Sequence, residues 1–318
     1  MKTNVFRSAW WLANSHLQTI WPVLSRRKIN LPLRRERLEL PDGDFLDLDW
    51  MGSNSDHIVL VLHGLGGSVN SPYAQGILKV IATFQWQGVF MHFRGCSHEH
   101  NRLPRSYHSG ETEDLKWVIN EIMRRFPNAK LSVIGFSLGG NVLLKWLGEE
   151  GKTAAVTCAI AVSVPFELNK VANRMRSGIS RFYQWWLLRQ LKQDIIEKFK
   201  DKPSVIDLGN LKKLRTFWEF DDKVTAPLHG FINVDHYYKT ASSRQYLKAI
   251  AIPTLIIHAK DDPFMTPDAI PKVEEISKDI TLELTESGGH VGFISGSIPG
   301  RSKYWLEERI PRFIQEYI

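Results

Sequence analysis

Short runs of apolar, largely β-branched residues alternate with helix-patterned segments from residue 57 onward, and this alternation constrains the fold more than any other feature. His57–His63 (HIVLVLH), Gly88–Phe93, Leu131–Phe136 and Ala155–Val164 read as strands. Helix patterns lie around Pro72–Phe84 and over Glu111–Phe126 and Gly139–Glu150. Two later strands, Thr254–Ala259 and Ile280–Leu284, precede a C-terminal helix over Ser302–Tyr317. A chain that returns from each strand through a helix builds βαβ units, and hence an α/β fold with a mainly parallel central sheet and helices on both faces. Upstream, Leu33–Leu40 and Phe45–Trp50 flank the turn sequence Pro41-Asp42-Gly43-Asp44 and predict an N-terminal antiparallel hairpin. Residues 1–29, with Phe6, Trp10, Trp11 and Trp21, predict short helices packed on the body.

The alternation breaks over residues 165–250. Here Arg174–Phe199 reads as an amphipathic helix carrying Trp185, Trp186, Leu187 and Leu188. An insertion between the fourth and fifth parallel strands, counted from His57, lies over the carboxyl ends of the strands, where open α/β sheets place their sites. Residues 1–318 are therefore read as a single domain, with a helical cap over approximately 165–250.

Charge is unevenly spread. The chain carries +7, yet residues 1–36 hold seven Lys/Arg against the single acid Glu36, and residues 165–250 hold sixteen basic against nine acidic residues. The remainder is acidic. Basic surfaces attract anionic lipid or nucleic acid, but no nucleic-acid-binding motif accompanies these segments. The partners expected are thus a small-molecule ester or lipid-like substrate and peripheral contact with an anionic membrane, without nucleic acid. No run approaches a membrane span, and Met1–Arg7 lacks the apolar core of a signal peptide. Two cysteines, Cys96 and Cys158, make neither a disulfide framework nor a metal pattern, which fits a reducing, cytoplasmic location.

The chemistry is concentrated in Gly135-Phe136-Ser137-Leu138-Gly139, between an apolar strand and a helix. Strand, sharp turn and helix with serine at the apex present a hydroxyl at the top of a sheet. Gly135 and Gly139 lack a Cβ, which lets strand and helix approach closely. A serine hydroxyl needs a base, and the base an orienting acid. Both follow in order: Asp261-Asp262-Pro263 just past one strand, and Gly288-Gly289-His290 past the next. Asp261 and Asp262 compete for the orienting role. Asp262 is favoured because the adjoining Pro263 fixes the turn, leaving Asp261 as a solvated or loop-capping carboxylate. The oxyanion of acyl transfer needs preorganised N–H donors. The amide of Leu138 follows the nucleophile at a helix N-terminus, and the glycine loop His63-Gly64-Leu65-Gly66-Gly67 offers the amide of Leu65.

Other candidates are weaker. The glycine loop lacks the Lys-Ser/Thr ending of a P-loop. His258 lies in a strand, His63 ends one and His92 sits in another, so these read as structural. His98-Glu99-His100 has the wrong spacing for a helical zinc pair. Cys96 lacks a paired base, and Arg94 and Asp114 read as holding loops near the site. The reading requires no cofactor and no metal.

Taken together, His63–Gly67, Arg94-Gly95-Cys96, Gly135–Asn141, Asp261–Phe264 and Gly288–Phe293 resemble the YheT-like branch of the α/β-hydrolases. So do Asn14–Pro22 and the cap residues Asp221, Gly230-Phe231 and Tyr237-Tyr238. The resemblance implies an α/β-hydrolase fold, a triad carried onto Ser137, Asp262 and His290, and hydrolysis of a carboxylic ester through an acyl-enzyme. Related eukaryotic proteins act on acylglycerols, phospholipids or acyl-transfer substrates. An acyltransferase using the same acyl-enzyme, and a non-catalytic binding protein on the same fold, are the competing expectations.

Overall fold

The computed structural model describes residues 6–52 and 55–318; residues 1–5, the first part of Met1–Arg7 and the site of Lys2, lie outside the described residues. A short 3-10 turn at Trp10–Leu12 and α1 (Ser15–Ser25) precede the hairpin β1 (Arg34–Glu39) and β2 (Phe45–Met51). The alternating unit then runs β3 (His57–Leu62), α2 (Pro72–Thr83), β4 (Gln87–Met91), α3 (Glu113–Arg125), β5 (Lys130–Phe136), α4 (Leu138–Glu150) and β6 (Cys158–Val162).

Strand order is β1-β2-β4-β3-β5-β6, followed by β7 (Thr254–Ala259) and β8 (Ile280–Thr285). Pairs β1–β2 and β2–β4 are antiparallel and the others parallel. This is the α/β-hydrolase arrangement. The order has a functional consequence. From β3 the chain goes to β4 on one side, then crosses to β5 on the other, so the loops after β3 and β5 diverge at a topological switch point.

Every residue of β3 is buried, and alternate side chains face opposite cores. Ile58, Leu60 and Leu62 pack with α3 and α4, whereas Val59 and Val61 pack with α2 and α10 (Leu306–Ile314). That two-sided burial is why the strand reads as a continuous apolar run. Helix α4 lies so close to the sheet that a Cβ on Gly135 would sit 2.5 Å from the Gly139 carbonyl oxygen, and one on Gly139 2.5 Å from that of His63.

Between β6 and β7 the chain forms α5 (Leu168–Arg174), α6 (Ser180–Lys198), α7 (Phe217–Phe220), a π turn at Asp221–Thr225, α8 (Ala226–Leu228) and α9 (Val234–Ala241). The continuous helix expected over Arg174–Phe199 is corrected here. Helix α5 ends at Arg174, Gly178 adopts a left-handed φ of +57°, and α6 starts at Ser180. Nor is α6 amphipathic in the expected sense. Leu188 and Ile195 are buried, but Trp185 and Trp186 point outward and are about half exposed. The C-terminal helix is also shorter than expected. Lys303–Tyr304 pairs with Ile294–Ser295 as a small ladder, β10 with β9, before α10 begins at Leu306. Among the described residues no helix is long and apolar enough to cross a membrane.

Candidate active site

Ser137 sits between β5 and α4 with φ of +50° and ψ of −116°. Such a left-handed turn is costly for a residue with a Cβ, and it is held by the bond from the Ser137 amide to the Val162 carbonyl of the neighbouring strand (2.8 Å). Leu138 is the first residue of α4, so its amide has no intrahelical acceptor.

The sequence candidates Ser137, His290 and Asp262 meet although 153 and 28 residues separate the bonded pairs. His290 Nε2 lies 3.0 Å from Ser137 Oγ, and Nδ1 lies 2.8 Å from Asp262 Oδ2. The other oxygen of Asp262 accepts the Phe264 amide at 2.8 Å, which fixes the carboxylate in the turn that Pro263 sets. The Phe264 ring stacks on the imidazole with centroids 4.0 Å apart. Asp261 points elsewhere, accepting the Gly289 amide at 2.9 Å; burial raises its pKa. It braces the histidine loop without touching the imidazole.

The glycine loop after β3 passes directly over the serine. A Cβ on Gly64 would lie 3.2 Å from Ser137 Cβ and 3.8 Å from Oγ. Tyr73 and Tyr107 hydroxyls accept the amides of Gly64 (3.0 Å) and Gly66 (2.9 Å), clamping the loop on either side of Leu65. Among the described residues, the amides of Leu65 and Leu138 donate no hydrogen bond.

His63, at the base of the loop, is structural. Its Nδ1–H donates to the Gly64 carbonyl (2.7 Å), and Nε2 accepts the Phe93 amide (3.1 Å). Burial pushes its pKa down to about 3. The unfolded chain protonates this imidazole below about pH 6.5, while the folded chain keeps it neutral, so acid favours unfolding. Denaturation midpoints measured from pH 7 down to pH 4 are expected to fall, with a shallower slope for His63→Gln; parallel slopes would remove His63 as a contributor.

His92 is likewise structural, between Asp49 (2.7 Å) and the Cys96 carbonyl (3.2 Å). Buried His258 has neither ring nitrogen bonded among the described residues. Burial pushes the Cys96 thiol up to about 12, so it remains protonated at neutral pH. Arg94 grips Asp114 through two 2.7 Å bonds and Asp44 at 3.0 Å. Among the described residues, His98 and His100 belong to no group of potential metal ligands, whereas His108, Glu111 and His229 bring potential ligand atoms within 4.8 Å of one another. Sequence spacing could not show that group, because His229 comes from the insertion.

Helix α1 holds most of the Asn14–Pro22 motif, but its contacts with the histidine loop could not be read from the sequence. Thr19 Oγ1 accepts the His290 amide (2.9 Å), and Gln18 accepts the Ile294 amide (2.7 Å) while donating to the Leu12 and Ile294 carbonyls (both 3.0 Å). A Cβ on Gly289 would lie 2.5 Å from the Ser15 carbonyl oxygen, so the loop and the helix are in direct contact. Asn141, on the first turns of α4, bonds the Ser109 and Ala241 carbonyls (both 2.7 Å) and the Ser243 amide (3.0 Å). It ties the elbow helix to the end of the insertion.

Two cavities reach Ser137 and His290. One, of about 160 Å³, runs beneath the insertion along Leu168, Val171, Leu191 and Ile195. The other, of about 300 Å³, opens between α1 and α6 along Thr19, Pro22, Tyr183 and Trp186. A group placed at Ser137 thus has separate space on its two sides.

Residues 57–297 match the family model of the alpha/beta hydrolase fold. The chain is 46% identical to YheT of Escherichia coli (strain K12), named as a candidate esterase, across 96% of this chain and 92% of that protein. It is 34% identical to a monoacylglycerol lipase of Saccharomyces cerevisiae, across 89% of this chain and 63% of the yeast protein. Among solved structures, the Pyrococcus furiosus esterase Pf2001 superposes with a TM-score of 0.58 at 17% identity, covering 92% of this chain and 98% of that one.

Proposed function

The chain belongs to the α/β-hydrolase family, and from that premise we propose that it is a serine hydrolase that cleaves carboxylic esters through a covalent acyl-enzyme. The observation that carries this reading is the continuous chain Ser137 Oγ–His290–Asp262, with spacings of 3.0 and 2.8 Å, beside two unused amides. Ser137 Oγ attacks the acyl carbon as His290 Nε2 takes its proton. Asp262 holds Nδ1–H, fixing the tautomer and stabilising the imidazolium. The amides of Leu65 and Leu138 meet the oxyanion, and their benefit comes from being in place before charge develops. The intermediate collapses, and His290 returns the proton to the departing alcohol. Water, activated by the same imidazole, then releases the acid.

Residues 165–250 act as a cap whose inner wall receives one arm of the ester. The apolar lining and the yeast relative's name both support an ester with a lipid-like chain. A fluorophosphonate tests the nucleophile: one adduct is expected, on the peptide containing Ser137, and none in Ser137→Ala. Equal labelling of both proteins would remove Ser137 from this role.

A specific observation also favours membrane contact. Ile179, Phe182, Trp185 and Trp186 are 49 to 61% exposed at the start of α6, and Val23 and Leu24 of α1 are exposed beside the same cavity mouth. Exposed Arg27, Lys28, Arg181 and Arg189 flank them. An apolar patch ringed by cations suits an anionic bilayer surface. Wild-type protein is expected to sediment with phosphatidylglycerol vesicles at low salt. Combined Phe182→Ser and Trp185→Ser should lower partitioning at least tenfold, leaving turnover of a soluble short ester unchanged. Equal sedimentation would exclude this surface.

A further inference from the structure

The acyl-enzyme scheme leaves the inner end of the cap cavity unexplained. Lys198, in the last turn of α6, is only 5% exposed and lines that cavity. Its ammonium donates to the Arg105 carbonyl, and no carboxylate of the described residues lies within salt-bridge reach. Buried lysines are ordinarily paired, because removing an ammonium from water is costly. Of its charged neighbours, Asp44 favours the ammonium, whereas Lys202, Arg94 and Arg105 oppose it. Asp44 is itself held by Arg94 and Asn101, both at 3.0 Å. Burial, with these cations, pulls the Lys198 pKa down to about 8.

The wall beside Lys198 carries His108 and His229, with ring centroids 4.6 Å apart. Burial drives both imidazoles toward neutrality, His108 to about 3. His108 Nδ1 accepts the Gly110 amide, so its Nε2 carries the hydrogen. Two carboxylates also line the cavity. Asp221 is engaged by Tyr238 (2.7 Å) and Thr225 (2.6 Å), and Asp194, one turn before Lys198 on the same face of α6, makes no ion pair with it among the described residues. A metal ion fits poorly among His108, Glu111 and His229. Arg105 already bonds Glu111 at 2.6 Å, and the positive charges of Arg105 and Lys145 act on His108. The region is built for a negative group.

We propose that this inner end binds the anionic terminus of an ester substrate, a carboxylate or a phosphate, with the Lys198 ammonium as counter-ion. Leu168, Val171, Leu191 and Ile195 give the same cavity an apolar wall. Leu187, which like Ser137 borders both cavities, precedes Lys198 by eleven residues on α6, about 16 Å along a helix axis. The substrate arm in the cavity is therefore apolar near the ester and charged at its far end. This deepens the ester-hydrolase reading and rests on it for turnover, though not for binding.

Two ester series test the proposal and separate the sources of the anion. In one, p-nitrophenyl hemi-esters of dicarboxylic acids are compared with methyl-terminated acyl chains of equal length. In the other, monoacylglycerol phosphates are compared with monoacylglycerols. One series is expected to show a preference for the charged member, and Lys198→Met should lower that ratio of kcat/KM at least tenfold, with Lys198→Arg restoring much of it. Preference in the first series places the anion on the acyl side, and in the second on the alcohol side. Calorimetry on Ser137→Ala with the same uncleaved charged esters reads binding without turnover. Binding lost in the Ser137→Ala, Lys198→Met double variant supports the site even if hydrolysis fails. The proposal is overturned by an absence of preference in both series, by an unchanged ratio in Lys198→Met, or by zinc binding that needs His229 without any anion preference.

Discussion

Ser137→Ala is expected to lower kcat for a short p-nitrophenyl ester by about a million-fold, the loss seen when a triad nucleophile is removed. The size follows from what disappears. The oxyanion amides and the cavities remain, but no acyl-enzyme can form, so only a slow direct attack by water is left. Folding should be little affected. Alanine has the same Cβ in the same left-handed turn, and the backbone bond from residue 137 to Val162 does not involve the hydroxyl. Steady-state kinetics alongside thermal unfolding check both halves. Activity within tenfold of wild type, in protein free of wild-type contamination, would end the assignment.

Asp262→Asn should cost about ten thousand-fold in kcat, whereas Asp261→Asn should cost less than about tenfold. The contrast comes from what each carboxylate does. Asp262 accepts Nδ1–H of His290 at 2.8 Å. An asparagine there can turn its NH2 toward the ring, leaving the hydrogen on Nε2, where the imidazole cannot accept the serine proton. Asp261 receives backbone amides, that of Gly289 first among them, and an asparagine carbonyl can receive that amide as well. The two variants differ by one position in the chain and should differ by three orders of magnitude in rate. Comparable losses in both would mean that the carboxylates share the role or that the loop, not the tautomer, governs the rate.

The sequence made the sheet and the three side chains of the proposed triad legible for one physical reason. Parallel strands deliver their following loops to the same edge, so a serine, an acid and a histidine that each follow a strand must lie near one another. Contacts that do not obey this rule stayed hidden. Thr19 reaches the His290 amide across 271 residues, and nothing in the periodicity of either segment encodes that pairing. Asn141 carries no signal beyond its place after Gly139-Gly140. In α6, apolar side chains are spread around the helix: Leu188 and Ile195 face inward, while Phe182, Trp185 and Trp186 face out. Helical spacing therefore could not tell a core stripe from a surface patch. Lys198 looked like one more cation in a basic segment, because burial without a counter-ion is a property of three dimensions.

The contact between α1 and the His290 loop also bears on how the site comes together. Helix α1 holds a loop 271 residues away along the chain, through Thr19 with the His290 amide and Gln18 with that of Ile294. Strands β3 to β6 and the elbow that carries Ser137 lie within residues 57–162, whereas the seat of the His290 imidazole is built from two segments outside that stretch. Contacts of such sequence separation close at a higher entropic cost than local ones, so the imidazole of the proposed triad takes its seat after the sheet that presents the serine.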